Sequence, residues 1–294
     1  MDDTSRALDG PTLTPTARAG GFTRRRLENR RRNRQVARSL WVPASTRNDL
    51  VERCRALRLL LPDDAVFSHY TAAELLGITV PADPLIHFCT QQLIEPRIAG
   101  VVGHRIGGYG PPTWRNDLPV TTPARTYLDL ASRLDLMALV QAGDGLAALC
   151  PGRVEELERG LRLGRGRRGV VLAREGLKWL DPASKSPMES RLRFLLVSAG
   201  FPEPKSNEAV YDEDGEWLAE PDLQWDWIRI AHEYESERHR ERRQWELDIK
   251  RDEGLIRNDW ILLKSTSTDL LQRPATVIER TRDAFARRGV YIPH

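Results

Sequence analysis

Glu189, Asp222 and Glu233, followed by His239, are the residues whose types and order could carry chemistry. Acids delivered from neighbouring elements to one point form the hard oxygen cage that Mg²⁺, or Mn²⁺ in its place, prefers. A caged ion polarises a phosphodiester, stabilises charge on the leaving oxygen and acidifies a bound water. In this reading Asp222 and Glu233 are metal ligands, Glu235 joins them from the same strand face, and Glu189 completes the catalytic set. His239 titrates near neutral pH and could serve as a base or hold the phosphate. Plainer readings exist: Glu189 as the partner in a helix cap, and Glu233 with Glu235 as a solvated strand face. Asp222 follows Pro221 in a strand, where propensity disfavours aspartate, which argues for a functional reason.

The elements that must position these residues follow from the local pattern. SPMESRLRFLLVSAGF opens a helix with Ser186 at the cap and Pro187 at the first position; Glu189 has capping-box spacing, and Gly200 ends the helix. A hairpin follows, with Glu208 to Tyr211 as one strand, a turn holding Asp214-Gly215, and a return from Trp217 that carries Asp222. The next strand, Ile228 to Tyr234, carries Glu233; a long helix from about Arg240 to Ile256, a strand at Trp260 to Lys264 and a last helix from about Thr276 to Arg288 complete the set. This order predicts an α/β domain with one mixed sheet flanked by helices. Trp225 and Trp227, two apart, could stack bases or pack a core. Lys264 ends its strand near the acids and could contact phosphate.

Upstream, residues 1–18 read as a disordered lead-in and 19–150 as a mixed α+β unit. Thr23 caps a predicted helix, and eight arginines lie between Arg24 and Arg38, a pattern that suits either a phosphate-contacting segment of winged-helix type or a solvated basic helix. Arg24, Arg25, Arg30 and Arg31, with Arg240 and Lys264, are the candidate nucleic-acid contacts. His69, His87 and His104 lack the ligand spacing of a zinc site and read as structural histidines. Residues 151–185 form a basic helical connector that includes RLGRGRR, and 186–294 the last domain.

Bulk properties bound the function. The 294 residues, 40% apolar and 30% charged, suffice for two domains. No apolar run nears the roughly 18 residues of a membrane span, and the N-terminus lacks a secretory h-region, which predicts a cytoplasmic protein with no membrane partner. The cysteines Cys54, Cys89 and Cys150 have no paired spacing and read as core thiols. The net charge of +3 averages strongly uneven segments, and that distribution is what a nucleic-acid partner would feel.

SPMESRLR, the EPDLQW strand, HEYESERHR, the DIKRDEGL helix and DWILLKST resemble, in that order, the DUF559 domain of the PD-(D/E)XK nuclease superfamily, related to the very-short-patch-repair endonucleases. The resemblance covers roughly the last 110 residues, and implies a restriction-endonuclease-like fold with a site at Glu189, Asp222 and Glu233, and His239 nearby. It also implies supporting positions for Asp248 and Arg251. GGFTRRRLENRR, SLWVP, FSHYTAAELLGI and LPVTTPARTYLDLA are similar to the amino-terminal part of actinobacterial proteins related to the AbiEi antitoxin family, which implies a toxin–antitoxin or phage-defence setting. Two departures stand out. Glu235 occupies the place of the superfamily's lysine, and Ser236 replaces a glycine of the related pattern.

The expected activity is therefore a Mg²⁺-dependent DNA endonuclease or nickase. The alternative is a DNA-binding, antitoxin-like regulator or defence sensor that keeps the nuclease fold without turnover; a further alternative is a toxin acting on RNA and restrained by a protein partner.

Overall fold

The computed structural model describes residues 7–92, 97–105, 110–164, 166–235 and 251–293. The chain divides into two compact units, Met1–Leu130 and Ala131–His294. It is a mixed α/β protein whose sheets are flanked by helices. No described helix is long and apolar enough to cross a membrane.

In the first unit, β1 (Thr12–Leu13), α1 (Thr14–Ala19), α2 (Arg24–Leu27), β2 (Asn33–Ala37) and β3 (Leu40–Pro43) build a small lobe on an antiparallel sheet ordered β1-β3-β2. Leu8, Ala17, Phe22 and Leu27 bury together against Trp41, so residues 7–18 are an integral layer and not the expected disordered lead-in. The predicted basic helix is also shorter than its arginine run. Thr23 Oγ1 caps it by accepting from Arg26 N at 3.3 Å, but Asn33 Nδ2 donates to Arg26 O at 3.0 Å and holds the chain in a turn into β2. The rest of the unit comprises α3 (Leu50–Leu57), β4 (Val66–Phe67), α4 (His69–Leu75), β5 (Ile86–Thr90), β6 (Val101–Arg105), β7 (Thr113–Arg115), β8 (Leu118–Val120) and α5 (Pro123–Leu130). Its five strands run β6-β5-β4-β8-β7, with β5/β6 and β4/β8 parallel.

The second unit begins earlier than the expected boundary in 151–185. Three helices, α6 (Leu136–Ala148), α7 (Arg153–Leu163) and α8 (Val170–Leu177), precede α9 (Pro187–Ser198). Leu157, Leu161, Val170 and Ala173 are buried, so this stretch is packed core and not an exposed connector. Its anchor is a buried ion pair: Arg193 Nη2 of α9 lies 3.3 Å from Asp144 Oδ2 of α6, and Arg193 also donates to Trp179 O and, at 2.9 Å, to Glu203. Burial raises the Asp144 carboxyl to about 6 despite the adjacent guanidinium. Gly169, at φ +85°, caps α8 where a Cβ would lie 2.5 Å from the Ala131 carbonyl carbon; glycine is required there on both counts.

The remaining elements are β9 (Lys205–Ser206), the hairpin β10 (Val210–Tyr211) and β11 (Trp217–Ala219), β12 (Leu223–Trp225), a 3₁₀ turn at Asp226–Ile228, β13 (Ile230–Glu235), a helix α10 described over 251–257, β14 (Ile261–Thr266), α11 (Ser267–Gln272) and α12 (Pro274–Arg287). The central sheet runs β14-β13-β12-β9, parallel only between β13 and β14. The predicted return strand is thus two strands, since the hairpin forms its own sheet and Asp222 sits just before β12. Ile230, Leu223, Trp225 and Ile228 share one core with Leu192 and Leu196 of α9 and with Val277 and Phe285 of α12. Ala231 shares the other with Val210, Ala219 and Leu255. Both faces of the sheet are therefore covered, and the alternation of β13 decides which residue meets which layer.

Trp225 and Trp227 separate. Trp225 is buried and donates Nε1 to Pro202 O at 2.8 Å, while Trp227 is 59% exposed on the 3₁₀ turn. Cys54, Cys89 and Cys150 are free and buried, as core thiols.

Candidate functional site

The acids gather on the hairpin and α10 side of β13. Ser186 Oγ caps α9 by accepting from Glu189 N at 3.2 Å. The Glu189 carboxylate does not return the bond to the cap residue: its Oε2 accepts from Lys185 N at 2.8 Å and from Asn207 Nδ2 at 2.9 Å. Only half of a capping box forms, and the buried carboxylate is turned toward β9 and β12 instead.

Asp222 precedes Leu223, which pairs with His232 across the antiparallel β12/β13 ladder. Its Oδ2 accepts from Tyr234 N at 2.7 Å. Burial raises its carboxyl to about 7, with further lifting by the charges of Glu189 and Glu233. Those Coulombic couplings bring the three expected acids into one electrostatic neighbourhood.

Glu233 is 5% exposed, and its face of β13 is covered by α10. The solvated-face reading therefore fails for Glu233. Arg251 Nη2 reaches both carboxylate oxygens of Glu233, at 3.1 and 3.2 Å. Burial raises the Glu233 carboxyl, against the lowering effect of Arg251 and Lys264. Lys264 is the register partner of Glu233 on β14. Its Nζ lies 2.5 Å from Asp252, 2.9 Å from Glu235 and 3.7 Å from Glu233. Burial alone would depress the ammonium, but its bonds to Asp252 and Glu235 hold it above the ordinary lysine value.

Arg251, Asp252 and Asn207 are thus site residues that the motif reading underused. In the sequence Asp248, Lys250 and Arg251 read as an ion-paired helix face, and nothing local announces that Arg251 meets Glu233 of β13 and Asp252 meets Lys264 of β14. Gln224 and Asp252 each bury a side-chain oxygen, Oε1 and Oδ1, that has no hydrogen-bond partner among the described residues. The acids do not close into a set of three donors all within 4.8 Å of one another among the described residues. His239, Arg240 and Ser236 lie outside the described residues.

On the opposite face His232 is buried, bonded through Nε2 to Ser265 Oγ at 2.8 Å, and near Thr281 Oγ1 at 3.4 Å. Burial depresses it to about 3, with Arg280 adding to the effect. It is a neutral core group outside the acid cluster.

In the first unit Arg24, Arg25, Arg30 and Arg31 are all exposed. Arg24 pairs with Glu28 at 2.8 Å one helical turn away, which spends part of its charge locally. Arg30 and Arg34 border a groove that also includes Gln35 and Trp41.

No protein-family model matches the chain. Two proteins of Mycobacterium tuberculosis, "Uncharacterized protein Rv2248" and "Uncharacterized protein MT2308", are each 31% identical to it over 220 residues, which is 73% of this chain and 79% of theirs. At that identity and coverage, the chain belongs to the same family as these two mycobacterial proteins.

Proposed function

We propose that this protein is a metal-dependent nuclease that hydrolyses DNA phosphodiester bonds, as an endonuclease or nickase, with Asp222, Glu233 and Glu189 at its centre. The observation that carries this reading is the Asp222 carboxyl, half-buried beside two other acids and raised to about 7. Burial first, and the neighbouring acids second, make this carboxyl costly to ionise without a counter-charge, and a divalent cation would supply one.

Mg²⁺ or Mn²⁺ suits the donors present. They are hard oxygens, and the buried Gln224 Oε1 on the Asp222 side of the strand adds an acceptor that lacks a partner among the described residues. Asp222, Glu233 and Glu235 would hold the ion, with Glu189 beside them. Bound there, it would supply polarisation of the phosphodiester and a more acidic water. The chain's own contributions are separate. Asp222 would hold the cation as a carboxylate, Asn207 and Lys185 N fix the Glu189 carboxylate, and Lys264 keeps an ammonium among Glu233, Glu235 and Asp252 that could contact phosphate. Lys264 also bears on the substitution at Glu235: a lysine is present beside the second acid, delivered by the next strand. Exposed Arg24, Arg25, Arg30 and Arg31 suit contacts to a nucleic-acid backbone. His239 and Arg240 keep their expected roles as base or phosphate contact and as backbone contact.

A second reading, a DNA-binding regulator or defence sensor without turnover, draws on a specific feature. Glu233 is already ion-paired with Arg251 and Lys264, which competes with its use as a metal ligand. RNA as substrate, and a partner protein in a toxin–antitoxin or phage-defence pair, are variants of these two readings. The test is incubation of supercoiled plasmid with the purified protein, with Mg²⁺ or Mn²⁺ against EDTA, alongside Asp222→Ala. Metal-dependent nicking that the substitution abolishes supports the enzyme. Intact plasmid with strongly salt-sensitive DNA retention supports the binding module.

A further inference from the structure

The three histidines of the first unit that sequence spacing treats as unrelated come together. His69, His87 and His104 each present a ring nitrogen, and these atoms all lie within 4.8 Å of one another. They come from the first residue of α4, from β5 and from β6. Parallel pairing of β5 with β6 sets His87 beside Val102 and Cys89 beside His104, so both histidines project from the same face of the sheet. The rings stack, with centroids 3.8 Å apart for His69 and His104 and 5.2 Å for His87 and His104.

We propose that this cluster is a binding site for one borderline divalent cation of the Zn²⁺ class, independent of the acid cluster in the second unit. Imidazole nitrogens suit such ions and not Mg²⁺. His87 Nδ1 and His104 Nε2 lie 2.9 Å apart as a hydrogen-bonded pair, so a cation would take the place of the shared proton and open the pair toward the roughly 3.3 Å spacing of tetrahedral nitrogen ligands. The surroundings match what a histidine-held cation needs. His87 Nε2 contacts Asp83 Oδ2 at 3.2 Å, which orients the ring and turns Nδ1 toward the cluster. His69 Nδ1 lies 3.0 Å from Ser68 Oγ and 3.9 Å from Asp129 Oδ2. Asp83 and Asp129 together offer two negative charges to a buried dication, although Arg125 takes up part of Asp129 through its other oxygen at 2.7 Å.

The backbone adds a further observation. His69 has φ +53°, a left-handed conformation that costs a non-glycine residue about 1 kcal/mol or more and persists where the surroundings enforce it. His87 and His69 are buried, and His104 is partly exposed. The chain thus offers three imidazole nitrogens, one fewer than the four protein ligands of a closed structural zinc site.

The test uses untagged full-length protein, stripped with chelator and titrated with Zn²⁺ and with Co²⁺ as a spectroscopic reporter. We expect one equivalent per chain, a Co²⁺ visible spectrum with nitrogen and oxygen ligands, and at least a tenfold loss of affinity in His104→Ala with far-ultraviolet circular dichroism unchanged. Asp222→Ala should bind Zn²⁺ as the parent does, which separates this site from the acid cluster. His87→Gln is a second variant, since glutamine keeps a polar group in the buried position. Absence of binding by the parent protein, or binding that survives both histidine substitutions, overturns the proposal and leaves the cluster as a hydrogen-bonded stack.

Discussion

Lys264 faces Glu233 in the parallel register of β13 and β14, yet its shortest contacts are to Asp252 at 2.5 Å and Glu235 at 2.9 Å. One ammonium thus serves acids from two elements. Lys264→Met leaves these carboxylates to repel one another and should lower stability by about 1–3 kcal/mol. Under the nuclease reading it should also slow plasmid nicking by about a hundredfold, the order found on removing a charge-stabilising donor. Lys264→Arg should recover most of the stability. Thermal melts and initial nicking rates check both parts, and unchanged nicking in the methionine variant would remove Lys264 from the site.

Two carboxyls and one buried imidazole give the unfolding free energy opposite slopes with pH. The Asp222 carboxyl is raised to about 7 in the fold, so its contribution is fully present below about pH 4 and is lost as pH rises through about 7. Asp144, raised to about 6, acts in the same direction. His232 is depressed to about 3, so the fold keeps it neutral while the unfolded chain takes up a proton below about pH 6.5, and stability falls as pH drops from there. Asp222→Asn should therefore lose melting temperature more steeply between pH 7 and pH 5 than the parent protein, and His232→Gln less steeply. Parallel profiles for all three proteins would contradict both assignments.

Arg193→Met leaves Asp144 buried without its guanidinium and also strips Trp179 O of a donor. A loss of about 3–5 kcal/mol is expected, as for other broken buried pairs. Replacing both residues, as Arg193→Met with Asp144→Leu, should recover a large part of it. Urea unfolding at pH 8, where Asp144 is ionised, measures the coupling; additive losses would mean that the pair does not act as a unit.

Gly169→Ala should be among the most damaging single-methyl additions in the second unit. The new Cβ would meet the Ala131 backbone at 2.5 Å, and the left-handed φ is unfavourable for alanine. A loss above about 2 kcal/mol is expected. Gly215→Ala is the control: it has φ +84° but open space around it, so it should cost only the conformational penalty, about 1 kcal/mol. Chemical denaturation of the two variants separates the clash from the dihedral.

The second unit was legible where local signals are strong. Ser186 and Pro187 open α9, the Asp214-Gly215 turn closes a hairpin, and Asn258 and Asp259 precede β14, all close to where capping and turn chemistry put them. What local pattern could not carry was the assignment of faces. The alternation of β13 correctly put Glu233 and Glu235 together, but whether that face meets water or a helix depends on α10, a long-range contact. The shortened basic helix has the same origin, because Asn33 reaches back to Arg26 and ends a run whose composition favours continuation. The histidine cluster was invisible for a related reason. Its ligand spacing exists only across β5/β6 pairing and the start of α4, and a linear spacing rule cannot register it.

The parallel pairing of β13 and β14 has a consequence for how the acid cluster comes into being. Parallel neighbours cannot be joined by a tight turn, so the strand that carries Glu233 must wait for a crossover containing α10 before Lys264 arrives. Arg251 lies on that crossover and Lys264 follows it, and the acids of β13 therefore receive their counter-charges from chain synthesised after them. A nascent chain that has emerged only as far as Glu235 carries the carboxylates without either cation. The charge balance of the site thus depends on a long-range closure that comes late in folding.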